Sequence, residues 1–254
     1  MEMQKVEYPL LQPRTSNEVR VVSWNVYYGD GPTHADDVIA ALKFFDCDVL
    51  LLYELSLEID LPEKIHRLGY GGVFVEANYR RSYRLLPPMK GGLALFSRFE
   101  IENYRIVETM SDGIFCVRRY YIEARLRVSE NFSLTVGMTH NSLPFESGYA
   151  RTCRALHEEI AKHKERYLFA ADLNALPSFG VVQELHKQLI HLGPPLRETS
   201  HPTKRWVRYL TPARRIDYAF ATPDVANMLI GQGRFGESHP SDHSPLLVHL
   251  RTDK

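Results

Sequence analysis

Short apolar runs that end at polar or turn-forming residues recur along this chain. The β-branched run Val19–Trp24 predicts a buried strand, and the run DVLLLYE predicts a second strand that ends at Glu54. The same pattern predicts strands in GGVFVEA, GLALFSRF, IENYRIVE, RRYYIEARLRV, FSLTVGMTH, RYLFAAD, RIDYAFAT and PLLVHLR. The chain is therefore expected to be rich in β-sheet.

Helical spacing of apolar residues marks a smaller number of segments. Helices are predicted for HADDVIAALKFFD, Leu61–Leu68, Ser147–His163 and SFGVVQELHKQLI, while a glycine-rich loop is expected between RIDYAFAT and PLLVHLR. His157 and His163 lie on the polar face of the third helix and are expected to be solvated. Runs of strands interrupted by helices, without strict alternation, predict an α+β fold of two packed sheets with helices outside.

Length and composition favour one intracellular domain. The 254 residues, 44% hydrophobic, are enough for a single core, so one domain over 19–254 is expected after a polar, proline-containing leader over 1–18. The three cysteines show neither zinc nor disulfide spacing, which is typical of reduced thiols. Without a signal peptide or an apolar run of about 18 residues, a cytoplasmic protein with no membrane anchor is expected. The sequence indicates no protein partner.

The balance of charge limits what the whole molecule can attract. Lys plus Arg and Asp plus Glu are each 31, so a field that draws in duplex DNA is excluded and any basic surface must be local. Such a surface is expected in NYRRSYRLLPPMK, where Arg81 and Arg84 alternate with tyrosines. An ordinary solvated loop fits the composition of NYRRSYRLLPPMK equally well.

Polar and ionisable residues stand at the ends of the predicted strands, where a rigid sheet presents side chains to a ligand. They are Asn25, Glu54, His140, Asp172 with Asn174, Asp217, and Asp242 with His243. Carboxylates and carboxamides without a cysteine cluster suit Mg²⁺, or Mn²⁺ as an alternative, better than zinc. The histidines add proton transfer or phosphate contact.

These residues stand in motifs that resemble the endonuclease/exonuclease/phosphatase superfamily, the deoxyribonuclease-like enzymes. The motifs occur in the family's order as SWNV, the strand-end acid Glu54, THNS, ADLNALPS, RIDYAF and SDHSPL. A single such motif is weak, but their joint order from Val19 to the C-terminus is specific. The resemblance implies a four-layer α/β/β/α sandwich of two packed, mainly antiparallel sheets, with the site at one edge.

The resemblance also implies a metal site and a phosphoester substrate. Glu54 would be the principal ligand of a magnesium ion, supported by Asn25 and Asp242. Arg118 opens a predicted strand where family members often place a phosphate-contacting arginine, so it would contact the substrate. Arg81 and Arg84 of the basic loop would contact it as well.

The catalytic roles implied by the resemblance involve a second set of residues. Asp172 is similar to the carboxylate that orients or activates water, and Asn174 to the amide that hydrogen-bonds the attacked phosphate. Asp217 would orient His243, which would act as base or as a cationic phosphate ligand. His140 would be an acid or a phosphate contact.

The chain departs from the family's pattern at two positions. Tyr53 stands where the family usually has glutamine before the metal-binding acid, so the surroundings of that acid differ. His140 stands where the abasic endonucleases have tyrosine, so the chain does not match that branch closely.

Three functional hypotheses remain from the sequence. The first is a metal-dependent phosphodiesterase or nuclease in which water attacks phosphorus, acting on nucleic acid or a nucleotide-like substrate. The second is a phosphatase or phosphodiesterase with the same site that acts on a phosphorylated lipid, inositol or other small molecule. The third is a binding module that has kept the fold, which ranks last because the expected acids and histidines are all present.

Overall fold

Two β-sheets packed face to face form the centre of the molecule in a computed structural model. The structure describes residues 5–10, 12–27, 32–56, 60–79, 89–112, 117–144, 146, 148–193, 198–200, 214–234 and 240–253. The first sheet, sheet A, has seven strands and the second, sheet B, has six.

Sheet A is built from the N-terminal third of the chain and its C-terminal end. Its strands are β1 (Lys5–Tyr8), β2 (Glu18–Asn25), β3 (Val49–Ser56), β4 (Gly71–Tyr79), β5 (Met89–Ser97), β12 (Leu229–Arg234) and β13 (Leu246–Arg251). Their spatial order is β1-β4-β5-β3-β2-β13-β12. The neighbours β2 and β3 are parallel, whereas the other pairs in this sheet are antiparallel.

Sheet B comes from the middle of the chain. Its strands are β6 (Glu100–Asp112), β7 (Val117–Ser129), β8 (Phe132–His140), β9 (Tyr167–Asp172), β10 (Ile190–His191) and β11 (Asp217–Ala221). Their spatial order is β10-β11-β9-β8-β7-β6, and only β8 and β9 run parallel. The prediction of two mainly antiparallel sheets is therefore confirmed.

Helices cover the outer face of each sheet. The described helices are α1 (Pro32–Phe45), α2 (Leu61–His66), α3 (Tyr149–Ile160), α4 (Gly180–Gln188) and α5 (Pro223–Asn227). Apolar residues of α1 and α2 pack on sheet A, and those of α3 and α4 pack on sheet B. The layers thus follow the order α/β/β/α, as predicted. Within the described residues, no helix is long and apolar enough to cross a bilayer.

The alternation of side chains along each strand explains why the sandwich has separate cores. In β2, Val19 and Val21 pack between the sheets, while Val22 and Trp24 pack against α1. Because strand side chains point alternately to opposite faces, a continuously apolar strand fills two cores at once. This accounts for the uninterrupted apolar runs in the sequence.

Two segments contain regular structure that the sequence pattern did not predict. Lys5–Tyr8, within the expected leader, pairs with β4 as the edge strand of sheet A. The glycine-rich stretch predicted as a loop contains α5 and β12. Gly231 and Gly233 weaken the strand pattern of β12, but its backbone is stabilised by antiparallel pairing with β13, a contact between segments distant in sequence.

Candidate active site

The polar strand ends predicted from the sequence meet at one end of the core between the sheets. In β9, Leu168 and Ala170 belong to this core, and Asp172 is the next residue on the same face. In β8, Met138 is followed in the same way by His140. The site is thus the polar end of an apolar core, so most of its side chains are buried and several are held at the ends of rigid strands.

Glu54 reaches this end of the core through an irregularity in β3. The pairing of β3 with β5 shifts between Leu52 and Leu55, which adds one extra residue to β3. Glu54 has a left-handed backbone (φ +56°) at this bulge. Simple alternation would turn Glu54 away from Tyr53 and toward α1; instead, its carboxylate lies 3.7 Å from Nε2 of His140.

Direct contacts join the predicted residues into one cluster. The Asn25 amide donates to Asp172 Oδ2 (3.0 Å) and also hydrogen-bonds Glu54. Nδ1 of His243 lies 2.9 Å from Asp217 Oδ2 and 3.8 Å from Asp172 Oδ2. The structure therefore brings together residues from β2, β3, β9 and β11 and from the loop before β13.

The loop that carries Asp242 and His243 is fastened to β2. The Ser241 hydroxyl donates to the Asn25 carbonyl (2.6 Å) and accepts a hydrogen bond from the His243 N–H (3.0 Å). The Trp24 indole donates to the His243 carbonyl (2.9 Å). Trp24 is buried, as expected for a residue of the predicted buried strand Val19–Trp24.

Asn174 approaches the cluster chiefly through its backbone. Its N–H donates to Asp172 Oδ1 (3.0 Å), and its side-chain amide donates to the Asn141 carbonyl (3.0 Å). The residue has a left-handed conformation (φ +49°), which asparagine adopts more readily than most residues. Asn174 thus fixes the orientation of Asp172.

Sequence reasoning missed the part played by Thr199. Its hydroxyl accepts hydrogen bonds from the N–H groups of Ile216 (3.1 Å) and Asp217 (3.0 Å), and its carbonyl accepts one from Ser244 (2.7 Å). It therefore ties the strand of Asp217 to the loop of His243. A single threonine in a loop carries no periodic signal that would have predicted this.

The predicted substrate-binding arginines do not all lie in the described part of the chain. Arg81 and Arg84 fall outside the described residues. Arg118 lies beside the Glu108 carboxylate (3.7 Å) and the Tyr120 hydroxyl (3.4 Å). Its neighbour Arg119 is buried, lies 3.3 Å from the Glu146 carboxylate and is the arginine whose charge acts on His140.

Comparison with known proteins identifies the family of this chain. A model of the Endonuclease/Exonuclease/phosphatase family matches residues 22–243. The chain belongs to this family. Its members cleave phosphoester bonds, so the chain is a phosphoester hydrolase of the Endonuclease/Exonuclease/phosphatase family. No curated protein sequence matches the chain significantly.

Solved structures of the family share the fold at low sequence identity. An endonuclease/exonuclease/phosphatase from Beutenbergia cavernae has a TM-score of 0.68 and 19% identity over 92% of this chain and 71% of its own. The human Nocturnin catalytic domain has a TM-score of 0.66 and 18% identity over 97% and 96% of the two chains. D. rerio TDP2 has a TM-score of 0.68 and 16% identity over 92% and 99% of the two chains.

The electrostatics of this family site are dominated by buried negative charge. Burial raises the pKa of Glu54 to about 7, and the charges of Asp172 and Asp242 act in the same direction. Burial likewise raises the pKa of Asp242. Burial and the neighbouring carboxylates thus make Glu54 and Asp242 easier to protonate than they are in water.

The pKa values of the two site histidines are shifted in opposite directions. Burial lowers the pKa of His140 to about 3, aided by the positive charges of Arg119 and His243. Burial also acts to lower the pKa of His243, but the carboxylates of Asp217 and Asp172 outweigh it and raise that pKa well above the ordinary value. At neutral pH the site therefore holds a neutral imidazole and a cationic one.

The donor set fits a divalent cation. Among the described residues, Oδ1 of Asp242 is a buried oxygen without a hydrogen-bond partner, and a bound cation would satisfy it. One atom each from Asp172, Asp217 and His243 also lies within 4.8 Å of the others. That grouping is better explained as a hydrogen-bonded pair beside a second carboxylate, because a cationic imidazole repels a metal ion. Asn25, Glu54 and Asp242 offer carboxylate and amide oxygens, the kind of ligand that a hard cation prefers.

Proposed function

We propose that this protein is a divalent-metal-dependent phosphodiesterase that acts on nucleic acid or a nucleotide-like substrate, with Mg²⁺ as cofactor and Mn²⁺ as a substitute. The observation that carries this proposal is the polar end of the inter-sheet core, where buried carboxylates meet a hydrogen-bonded His–Asp pair. Carboxylate and amide oxygens suit a hard cation, and the histidines suit contact with a charged phosphoryl group.

The proposed roles divide between cation binding and handling of water and phosphate. Asn25, Glu54 and Asp242 hold the cation. When bound, the cation would supply positive charge that stabilises the negative charge developing on the phosphate during attack. Asp172 orients the attacking water and accepts its proton; the hydrogen bonds from Asn25 and Asn174 hold that carboxylate in place.

The histidines complete the proposed mechanism. His243 is held by Asp217 in the cationic form, so it stabilises negative charge on the attacked phosphate. His140 stays neutral at physiological pH and donates a hydrogen bond to a phosphoryl or leaving oxygen. Charge that develops in the transition state thus meets groups already in position.

The proposal of nucleic acid as substrate is supported by a structurally similar protein and by the charge of the chain. The D. rerio TDP2 structure is described as complexed with a single-strand DNA product. A single strand carries a lower density of negative charge than a duplex, which suits a protein of zero formal net charge better than duplex binding does. The free thiols Cys47 and Cys153 support the proposed cytoplasmic location.

Turnover of a substrate panel tests the proposal. Single- and double-stranded DNA, RNA, phosphorylated inositols and an aryl phosphodiester are each incubated with Mg²⁺, with Mn²⁺ or with EDTA. The proposal expects cleavage of single-stranded nucleic acid that EDTA abolishes and that Asp172→Ala and His243→Ala both remove. Preference for the inositols would favour the small-molecule hypothesis, and no turnover of any substrate would overturn the proposal.

A further inference from the structure

Tyr53 occupies a position between the two sheets and directly beneath the active site. It precedes Glu54 in β3, is fully buried and packs in the core shared by sheets A and B. The tyrosine places an aromatic ring and a hydroxyl in this apolar core.

The Tyr53 hydroxyl joins strands of both sheets. It donates to the carbonyl of Ala170 in β9 (2.8 Å), and Ser23 Oγ in β2 lies 3.0 Å away. Because the single hydroxyl hydrogen goes to the carbonyl, Ser23 donates to Tyr53. The Tyr53 ring also lies edge-on to His140, with 6.2 Å between ring centroids.

Each strand that Tyr53 contacts carries a site residue close by. Ser23 is two residues before Asn25, and Ala170 is two residues before Asp172. Ala170 has only a methyl group on the inner face, which leaves room for the tyrosine to reach the backbone of β9. The Tyr53 hydroxyl thus contacts β2 and β9 two residues before the site residue that each strand carries.

The cross-sheet link matters because the proposed site is divided between the sheets. The proposed cation ligands Asn25 and Glu54 belong to sheet A, whereas His140, Asp172 and Asp217 belong to sheet B. Apolar packing between sheets is not directional, so it does not define their relative position as sharply as a hydrogen bond does. Displacement by about 1 Å is enough to cost roughly 10²-fold in rate.

We propose that Tyr53 is a positioning residue that holds the cation-binding half of the site on sheet A in register with the water-activating half on sheet B. The inference rests on the proposed function. It predicts that loss of the hydroxyl impairs turnover while leaving cation binding, which involves sheet A elements, largely intact.

Tyr70 provides a matched control. It is also a buried tyrosine whose hydroxyl donates to a backbone carbonyl, that of Cys47 (2.6 Å). It packs between sheet A and its helices, and Cys47 lies just before β3, at the other end of that strand from Glu54. Tyr70→Phe therefore removes a similar hydrogen bond without touching either half of the site.

The experiment compares Tyr53→Phe, Tyr70→Phe and the unchanged protein. For each, kcat, KM and the Mg²⁺ concentration for half-maximal rate are measured with the cleaved substrate, together with Tm. We expect Tyr53→Phe to lower kcat about tenfold or more, with KM and the Mg²⁺ requirement changed less than about twofold. Tyr70→Phe should keep its kcat, and both variants should lose about 2–4 °C in Tm.

The outcomes that would overturn the positioning role differ from the one that would overturn the proposed function. A Tyr53→Phe variant with unchanged kcat, or a fall in kcat that both variants share in proportion to their loss of Tm, overturns the positioning role. A higher Mg²⁺ concentration for half-maximal rate, with kcat preserved, also overturns the positioning role, because the defect would then lie in cation binding. Absence of metal-dependent turnover in the unchanged protein overturns the proposed function itself and removes the basis of this inference.

Discussion

Buried acidic groups lie on both sides of sheet B, and the two clusters have opposite electrostatics. On the outer side, a network of Arg105, Tyr121, Glu123, Glu159 and His163 links the sheet to the end of α3. On the inner side lie the carboxylates of the active site. Hydrogen bonds determine the pKa of the glutamate in the outer network, whereas burial determines the pKa of the glutamate in the active site.

The pKa values express this difference. Burial acts to raise the pKa of Glu123, but hydrogen bonds from His163, Arg105 and Tyr121 outweigh it and lower that pKa to about 2. In the active site, burial raises the pKa of Glu54 to about 7. The opposite pKa shifts of Glu123 and Glu54 thus distinguish a hydrogen-bonded structural network from a site in which burial is the larger effect.

Counting cations explains the contrast. In the outer network, Arg105 bonds both Glu123 and Glu159, and Lys162 also bonds Glu159. In the described structure, no lysine or arginine forms an ion pair with the active-site carboxylates, which are Glu54, Asp172, Asp217 and Asp242. Uncompensated buried charge is costly to fold. His243 is the cationic partner of Asp217, but the described structure shows no such partner for Glu54 or Asp242. A cluster whose carboxylates outnumber its cations is therefore a better candidate for function than one in which the acids are paired.

The largest expected effect comes from removing charge on the inner side. Glu54→Gln should lower Mg²⁺-dependent turnover about 10³-fold, since several kcal/mol of transition-state stabilisation depend on the cation. Without metal, the Tm of the variant should be unchanged or higher, because the substitution removes a charge whose burial is unfavourable. Thermal melts with and without Mg²⁺ test this. A variant that keeps the stabilisation by Mg²⁺ would show that Glu54 is not a ligand.

The matching change on the outer side should act on stability alone. Glu123→Gln is expected to lower the free energy of unfolding at pH 7 by about 3 kcal/mol, while kcat stays the same. Because the folded pKa is depressed, the Glu123 contribution is present above the unfolded value of 4.5 and is lost as pH falls toward about 2. Urea unfolding at pH 7 and pH 3 measures both effects. Equal acid sensitivity in the variant and the unchanged protein would contradict this assignment.

A smaller effect is expected where the inner cluster does hold a cationic partner. Asp217→Asn weakens the charge that keeps His243 cationic and should lower kcat about 10–100-fold. His243→Gln removes the same unit, so the double variant should be little worse than the poorer single variant. Steady-state kinetics of the three variants provide the test. Fully additive losses would mean that the two residues act independently.

The smallest expected effect concerns Arg118. Since this side chain already lies beside Glu108, Arg118→Ala should raise KM only about 2–5-fold, leave kcat unchanged and reduce the salt dependence of KM. Measurement of KM at low and moderate ionic strength checks the expectation. Identical values for the variant and the unchanged protein would limit Arg118 to a structural role on β7.

Local sequence patterns predicted the layers and much of the site. Asp172 and His140 each end an apolar strand, and their position two residues after an inner-face residue follows from the strand period of two. The family motifs added order and spacing to these positions. Both signals reside in adjacent residues, so they are available before the chain folds.

Predictions failed where a contact joins distant segments. His163 was expected to be solvated, but its ring stacks on Tyr167 (3.9 Å between centroids) and its Nε2 lies 2.7 Å from Glu123. The helix pattern describes only the polarity of its own turn and contains nothing about the sheet beneath it. The strand β12 was missed for the same reason.

The sequence by itself determined the alternating strands, the amphipathic helices and the acids and histidines at the strand ends. Only the tertiary structure decided that the bulge in β3 turns Glu54 into the site, that Thr199 secures Asp217, and that Tyr53 reaches across to sheet B. The physical reason is that periodicity is a property of neighbouring residues, whereas register between sheets depends on hydrogen bonds and packing between residues far apart in the chain.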